Sequence, residues 1–293
     1  MNRSADEPQP DRRIPAATPA PDSPPPAPES TGSTPAAADV GPESLPLVNR
    51  VVFRIGWTLL HVLGTAFYRY RSFGTHHVPM TGPLIIVMNH QSNFDPPLAG
   101  VAVRRKHLNF IARVGLFKNP IFGWLIATLN SIPVRRGESD LPAMKRALKR
   151  LQNGHAVVVF AEGARTHDGR MHEFQRGMTL MLKRAKCPVL PVGIDGFREA
   201  WPRGGPTLPR LFGQQLCVEI GEPLSHERLM ADGPDEALRK VARRVDQLRL
   251  RARARLRYAT RGALPPPGPG DEPTPVDRWY TPDSPDADLV IKD

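Results

Sequence analysis

The sequence predicts an α/β fold: a single domain with a central, mostly parallel or mixed sheet flanked by helices, plus an N-terminal amphipathic helix and disordered tails. Three observations carry this prediction. Short apolar, β-rich runs alternate with helical stretches from Leu84 to Ile194, the pattern of strands joined by crossovers. Of 34 prolines, 11 lie in residues 1–45 and 8 in 263–293, among few aromatics and many Ala, Ser and Asp, so both ends read as disordered. Charge divides the same way, because 35 of the 40 Lys and Arg but only 15 of the 29 Asp and Glu fall in residues 46–262.

A chain of 293 residues that is 40% hydrophobic is long enough to bury one good-sized core. Its strongly basic middle suits a polyanion: nucleic acid, anionic lipid headgroups or a phosphorylated substrate. Cys187 and Cys217 stand apart with no paired spacing and no histidines beside them, which suggests neither a zinc site nor a disulfide framework and fits a reducing, cytosolic-side location. The first residues are polar and proline-rich and lack the basic-then-apolar layout of a secretory signal.

The elements follow in order. From Val51 to Tyr70 the apolar positions Val52, Ile55, Leu59, Val62, Ala66 and Tyr70 recur three or four apart, opposite Arg54, Thr58, His61, Thr65 and Arg69. This predicts an amphipathic helix within 46–72, either lying in a bilayer interface or packed on the protein's own core. Two arginines and a histidine argue against a span, which needs about 20 mostly apolar residues. Strands are expected at Leu84–Met88, Leu108–Ile111, Ile132–Val134, Ala156–Phe160 and Val189–Ile194.

Residues Leu116–Leu129 are apolar nearly all round and read as a buried helix, with a wall for an acyl chain as the functional alternative. A clear amphipathic helix follows, capped by Asp140 or Ser139, with Leu141, Met144, Leu148 and Leu151 on one face and Gly154 at its end. The last long helix, about Asp235 to Tyr258, carries its apolar stripe at Leu238, Val241, Val245, Leu248, Ala252 and Leu256, with arginines over the rest. Such a basic helix suits a solvated face, a bilayer contact or a nucleic-acid arm.

The chemistry concentrates in two stretches. Asn89-His90-Gln91-Ser92-Asn93-Phe94-Asp95 comes directly after the run Leu84–Met88, where active groups often sit, at the carboxyl end of a strand. A neutral imidazole takes a proton from a hydroxyl near neutral pH, and a carboxylate beside it orients the ring and stabilises the imidazolium. That assigns His90 as base and Asp95 as its partner. Of the nine histidines only His90 has an aspartate five residues on, and Pro96-Pro97 suits a turn into a helix.

The second stretch, Ala161-Glu162-Gly163-Ala164-Arg165-Thr166, follows the run Ala156–Phe160. Here Gly163 lets the backbone approach a ligand, Arg165 grips phosphate through a bidentate fork, and Glu162 fixes that arginine or accepts from a substrate hydroxyl. Alone, such a loop reads equally as an ordinary turn with a surface salt bridge. Arg135 and Arg136 end a third run, Ser131–Val134, and a parallel or mixed sheet would bring all three segments to one edge.

With these motifs in order, the sequence resembles the glycerolipid acyltransferase family typified by bacterial 1-acylglycerol-3-phosphate acyltransferases. The first motif is carried by Asn89, His90 and Asp95, the second ends at Arg136, and the third is Phe160-Ala161-Glu162-Gly163-Ala164-Arg165-Thr166. The fourth is Val189-Leu190-Pro191-Val192-Gly193-Ile194, and flanking agreement comes from Gly74–Pro83 and Phe174-Gln175-Arg176-Gly177. Ala161 and Ala164 stand where the family usually has proline and threonine, which bears on the identity of the acceptor.

The resemblance implies transfer of a fatty acyl group from acyl-CoA or acyl-carrier protein to the free hydroxyl of 1-acylglycerol-3-phosphate, with no other cofactor and no metal. His90 and Asp95 are then catalytic, and Arg136, Glu162, Gly163 and Arg165 hold the acceptor. The absence of Gly-x-Ser-x-Gly fits direct attack without an acyl-serine, and Ser92 is read as structural. The implied partners are a lysophospholipid, an acyl thioester and an anionic membrane, with the enzyme peripheral or monotopic on the cytoplasmic face. The alternatives are another acceptor such as lyso-ornithine lipid, or a basic nucleic-acid-binding protein, which would leave the four motifs unexplained.

Overall fold

The computed structural model describes residues 47–105, 108–118, 131–134, 140–205 and 208–279. Seven strands are present: β1 (Arg71–Phe73), β2 (Leu84–Met88), β3 (Leu108–Arg113), β4 (Ile132–Val134), β5 (Ala156–Phe160), β6 (Val189–Asp195) and β7 (Cys217–Ile220). They form one sheet in the order β1-β7-β6-β2-β5-β3-β4. All neighbours are parallel except β6 and β7, so the sheet is mixed.

β2 lies at the centre, in register with β5 from Leu84↔Ala156 to Met88↔Phe160 and with β6 on its other side. It is fully buried because both faces are covered. Ile85 and Val87 face one core with Val157 and Val159, while Leu84, Ile86 and Met88 face the other with Ala156 and Val158. This two-sided burial explains why these strands read as unbroken apolar runs rather than as alternating ones.

The helices are α1 (Leu47–Tyr68), α2 (Asp95–Val103), α3 (Leu141–Gln152), α4 (Gly177–Ala185), the short α5 (Phe197–Ala200) and α6 (His226–Met230), and the long α7 (Pro234–Ala259). The cap of α3 is Asp140, whose Oδ1 accepts from the Ala143 amide at 2.9 Å; its alternative, Ser139, lies outside the described residues. Of the apolar stretch 116–129, only a 3-10 turn ending at Lys118 is described, and the remainder lies outside the described residues.

α1 corrects its sequence reading at its C-terminal end. It ends at Tyr68, because Arg69 turns left-handed at φ 44 and the Tyr70 amide reaches back to the Gly64 carbonyl at 3.1 Å. Of the two alternatives left open for its stripe, packing on the core falls to another face: Trp57, Leu60 and Phe67 meet the core with buried Gly64 and Tyr68, whereas Ile55, Leu59 and Val62 of the stripe are more than half exposed. Both faces of this helix are therefore apolar.

α7 packs its predicted stripe, Leu238 to Leu256, against the sheet. The approach to β6 is backbone on backbone. A Cβ added at Gly193 would stand 2.1 Å from the Arg249 nitrogen and 2.3 Å from the Leu248 carbonyl carbon, so only glycine lets the helix sit this close. Arg249 and Arg253, counted from the sequence as surface charge, are buried at 0% and 5% exposure.

The tail expected from residue 263 onwards is not disordered over 263–279. Arg249 donates to the Gly270 and Glu272 carbonyls, Arg253 to the Pro266 carbonyl and Asp271, and Arg257 to Asp271, strapping this segment onto α7. Trp279 is completely buried, its ring centroid 5.2 Å from that of Phe174. Proline-rich composition signals poor helix and strand formation, but a buried tryptophan and a row of arginines are enough to dock an irregular segment. Replacing Trp279 with alanine is expected to cost about 3 to 5 kcal/mol in urea-induced unfolding, as for a large aromatic removed from a core; a change within about 0.5 kcal/mol would mean that the strap is not docked in solution.

Candidate active site

The site forms at the carboxyl ends of the adjacent parallel strands β2 and β5. Past the end of β2, the Asn89 side chain continues the sheet. Its Nδ2 donates to the Ile194 carbonyl at 3.0 Å and its Oδ1 accepts from the Ile194 amide at 2.8 Å, so an amide side chain replaces a pair of ladder hydrogen bonds with β6. This turns the next residue, His90, out of the sheet.

The His90 ring lies against Phe160, with centroids 4.3 Å apart and planes 28° apart, and its Nδ1 is 2.6 Å from Asp95 Oδ2. Asp95 opens α2 and is fully buried. Its Oδ2 also accepts from the amides of Gln91 at 2.5 Å and Ser92 at 2.8 Å, while Oδ1 has no hydrogen-bond partner among the described residues. Burial raises the Asp95 carboxyl pKa, against the His90 ring and the two amides, which lower it. An Nδ1 that faces a carboxylate carries the proton, which leaves Nε2 as the basic nitrogen. The His90 side chain keeps 19% exposure, so a substrate hydroxyl has access to the ring.

Ser92 does not point along this axis. Its hydroxyl donates to the Trp201 carbonyl at 3.0 Å and accepts from the Phe94 amide at 3.2 Å, a turn-forming role that agrees with its structural reading. Gln91 is completely buried and donates to Asp195 Oδ1 at 2.8 Å, and Asp195 Oδ2 accepts from Arg253 at 3.0 Å. This network joining the first motif to α7 is not visible in sequence spacing.

Glu162 differs from its expected role. It is 4% exposed, and its two oxygens accept backbone amides, Oε1 from His90 at 2.6 Å and Oε2 from His172 at 2.7 Å. No ion pair joins it to Arg165 among the described residues; it ties the loop after β5 to the backbone of His90. The same loop donates the Thr166 amide to the His90 carbonyl at 2.8 Å, so His90 is held from both of its peptide groups. Gly163 makes the turn between them at φ 70, with an added Cβ meeting Gln175 at 3.0 Å.

Arg165 is half-buried, and no ion pair joins it to a carboxylate among the described residues. Burial and the charge of Arg203 lower its pKa, while Asp95 raises it. Arg203, whose Nη1 donates to the Arg165 carbonyl at 3.4 Å, was not singled out by sequence, because it lies in a loop without periodicity. Arg136 lies outside the described residues; β4, which precedes it, ends at Val134 on the same edge of the sheet. Ala161 is buried in the core, so the missing proline ring is a packing change rather than a change in the site. Among the described residues, no group of three or more His, Cys, Asp or Glu is placed to hold a metal.

Burial pushes the Glu162 carboxyl up to about 8, against the His172 and His90 amides. A carboxyl whose pKa rises on folding stabilises the native state fully below its unfolded value near 4.5, and the benefit is lost as pH climbs through about 8. The melting temperature of Glu162→Gln relative to the parent should therefore improve steadily from pH 5 to pH 8.5. A pH-independent difference between the two would show that Glu162 ionises normally in the folded protein.

Comparison with known proteins agrees with this geometry. The Acyltransferase family model matches residues 69–195, which hold both motif loops and the dyad. The chloroplastic 1-acyl-sn-glycerol-3-phosphate acyltransferase of Arabidopsis thaliana is 30% identical over 184 residues, 61% of this chain and 50% of that protein. The Pseudomonas aeruginosa 1-acyl-sn-glycerol-3-phosphate acyltransferase is 32% identical over 142 residues, covering 47% and 53%. The chain thus spans about half the length of the first curated relatives it matches. The crystal structure of the acyltransferase PlsC from Thermotoga maritima superposes with a TM-score of 0.56 at 27% identity, covering 68% of this chain and 77% of that one. The motifs, the mixed sheet and the dyad agree with these matches, which support the glycerolipid acyltransferase family.

Proposed function

We propose that this protein transfers a fatty acyl group from a thioester to the free hydroxyl of 1-acylglycerol-3-phosphate, giving phosphatidate. The observation that carries the reading is the His90–Asp95 pair, 2.6 Å apart at the end of β2, with the His90 side chain 19% exposed and Arg165 in the adjoining loop, whose Glu162 and Thr166 hold the His90 backbone.

The acceptor hydroxyl gives its proton to His90 Nε2 as its oxygen attacks the thioester carbonyl. The resulting imidazolium is paired with Asp95, and the carbonyl oxygen takes up the negative charge. When the tetrahedral intermediate collapses, the carbon–sulfur bond breaks and the departing thiolate takes the proton back from His90. The balance needs no nucleophilic side chain and no metal. Acyl-CoA and acyl-carrier protein both supply such a thioester.

Arg165 and Arg203 hold the acceptor phosphate in this reading, with Arg136 a further ligand implied by its motif. Arg203 lies beside Arg165, to whose carbonyl it donates, and guanidinium forks match the oxygens of a dianionic phosphate. Such a ligand set favours phosphate over an acceptor without one, such as lyso-ornithine lipid. Curated relatives from plants, bacteria and mammals carry the 1-acyl-sn-glycerol-3-phosphate acyltransferase name. The setting we infer is the cytoplasmic face of a membrane. Among the described residues no helix is long and apolar enough to cross one, so the attachment is read as monotopic.

The test is acyl transfer from labelled palmitoyl-CoA to lysophosphatidate by the detergent-solubilised full chain. His90→Ala is expected to lose at least about a hundredfold in kcat, the lower range for a general base, while remaining folded by circular dichroism. Arg165→Gln should raise KM for lysophosphatidate about tenfold or more. Full activity in His90→Ala would sink the mechanism. Transfer to lyso-ornithine lipid but not to lysophosphatidate would replace the acceptor.

A further inference from the structure

Seven of the eleven large hydrophobic side chains exposed on the described residues lie in two segments. Ile55, Leu59, Val62 and Leu63 are on α1; Leu208, Leu211 and Phe212 are in the stretch between α5 and β7, with Leu208 at 76% and Phe212 at 72% exposure. The two segments meet where the Phe212 ring stands 5.3 Å from Phe67, a partly buried residue one helical turn on from exposed Leu63 of α1. Exposed apolar side chains scattered singly are ordinary, but a joined patch marks a surface that meets something apolar.

The charge around this patch has one sign. Residues 47–71 and 201–216 contain Arg50, Arg54, Arg69, Arg71, Arg203 and Arg210 and no aspartate or glutamate. A protein partner with an apolar face does not require that, whereas an anionic bilayer does, since its headgroups sit above the acyl region that the leucines and phenylalanine would enter.

The patch also connects to the catalytic loop. Tyr68 at the end of α1 packs on Phe94 at 5.3 Å, and Phe94 packs on Trp201 at 5.2 Å. Trp201 holds Ser92 through its carbonyl, two residues on from His90, and the Arg210 amide is anchored to the Ala200 carbonyl at 2.9 Å. Two residues past Trp201, Arg203 reaches Arg165. One short segment thus has apolar side chains exposed to solvent at one end and a guanidinium beside the candidate phosphate site at the other.

We propose that residues 208–212 dip into an anionic bilayer together with the outer face of α1, forming a lip over which the lipid acceptor passes to Arg203, Arg165 and His90. This rests on the reading of the acceptor as a membrane lipid. The lip lets the headgroup move between the bilayer surface and the arginines while the acyl chain stays in lipid.

The test uses the full chain with vesicles of phosphatidylethanolamine and phosphatidylglycerol, and with phosphatidylcholine vesicles as the uncharged control. Cys187 and Cys217 are buried, so Leu208→Cys accepts an environment-sensitive dye selectively. Its emission should shift to the blue on the anionic vesicles. The triple variant Leu208→Ser, Leu211→Ser, Phe212→Ser should bind them at least about tenfold more weakly. It should lose a similar factor in kcat/KM toward long-chain lysophosphatidate embedded in vesicles, yet match the parent on a short-chain, water-soluble lysophosphatidate.

An unshifted dye together with undiminished vesicle binding by the triple variant would overturn the proposal. So would a concentration-dependent dimer that the triple variant abolishes while its vesicle binding survives, since the patch would then cover a second copy. If the parent acylates neither acceptor while the dye still reports insertion, the proposed substrate fails and the membrane lip stands.

Discussion

The geometry of the candidate site depends on how the backbone of His90 is gripped. Its amide donates to Glu162 at 2.6 Å and its carbonyl accepts from Thr166 at 2.8 Å, both partners lying in the loop after β5. Because β2 and β5 are adjacent and in register, the loops that leave them emerge side by side. The carboxylate of one loop then bonds the other, which makes the separation between imidazole and Arg165 a property of the sheet rather than of two flexible loops. Glu162 matters here as a backbone acceptor, a use of a motif glutamate that differs from contact with a substrate.

A second layer supports the first. Gln91, next to His90, reaches Asp195 at the end of β6, and Asp195 is paired with Arg253 of α7. Arg253 also holds Asp271 of the C-terminal strap. Burying a carboxylate and a guanidinium this deeply costs several kcal/mol each before pairing, so such a pair adds little net stability compared with apolar packing. What it contributes is geometry: the arrangement is favourable only when Gln91, α7 and the strap are all in place. The strap and the site are therefore coupled although no strap residue lies near the imidazole.

The central strands and the dyad were legible in the sequence because each leaves a local mark. β2, β5 and β6 are covered on both faces and read as unbroken apolar runs, and His90 and Asp95 are close enough in sequence for their spacing to be seen. β1 and β7 left no such mark, being three and four residues long at one edge of the sheet. The sequence left the direction of α1's stripe open, because the helix is apolar on two faces and periodicity reports a stripe without saying which way it points. Arg249 escaped because it lies one position from Leu248 of the stripe, where a helical pattern cannot separate an inward arginine from an outward one. Arg203 and the strap depend on contacts between segments far apart in the chain, which spacing does not encode.

The electrostatics of the dyad favour the charged state reached during proton transfer. All three hydrogen bonds to Asp95 converge on Oδ2, while Oδ1 is buried without a partner among the described residues. A carboxylate left this poorly solvated stands to gain from a neighbouring positive charge more than one that is fully hydrogen-bonded. In the proposed transfer, a hydroxyl proton taken up on Nε2 would set an imidazolium against that underserved carboxylate. Under the proposed mechanism the stabilisation would thus be larger in the charged arrangement than in the resting one, which is what acceleration of the chemical step requires. Additional hydrogen-bond donors around Asp95 would make the resting enzyme more comfortable and would remove part of that difference.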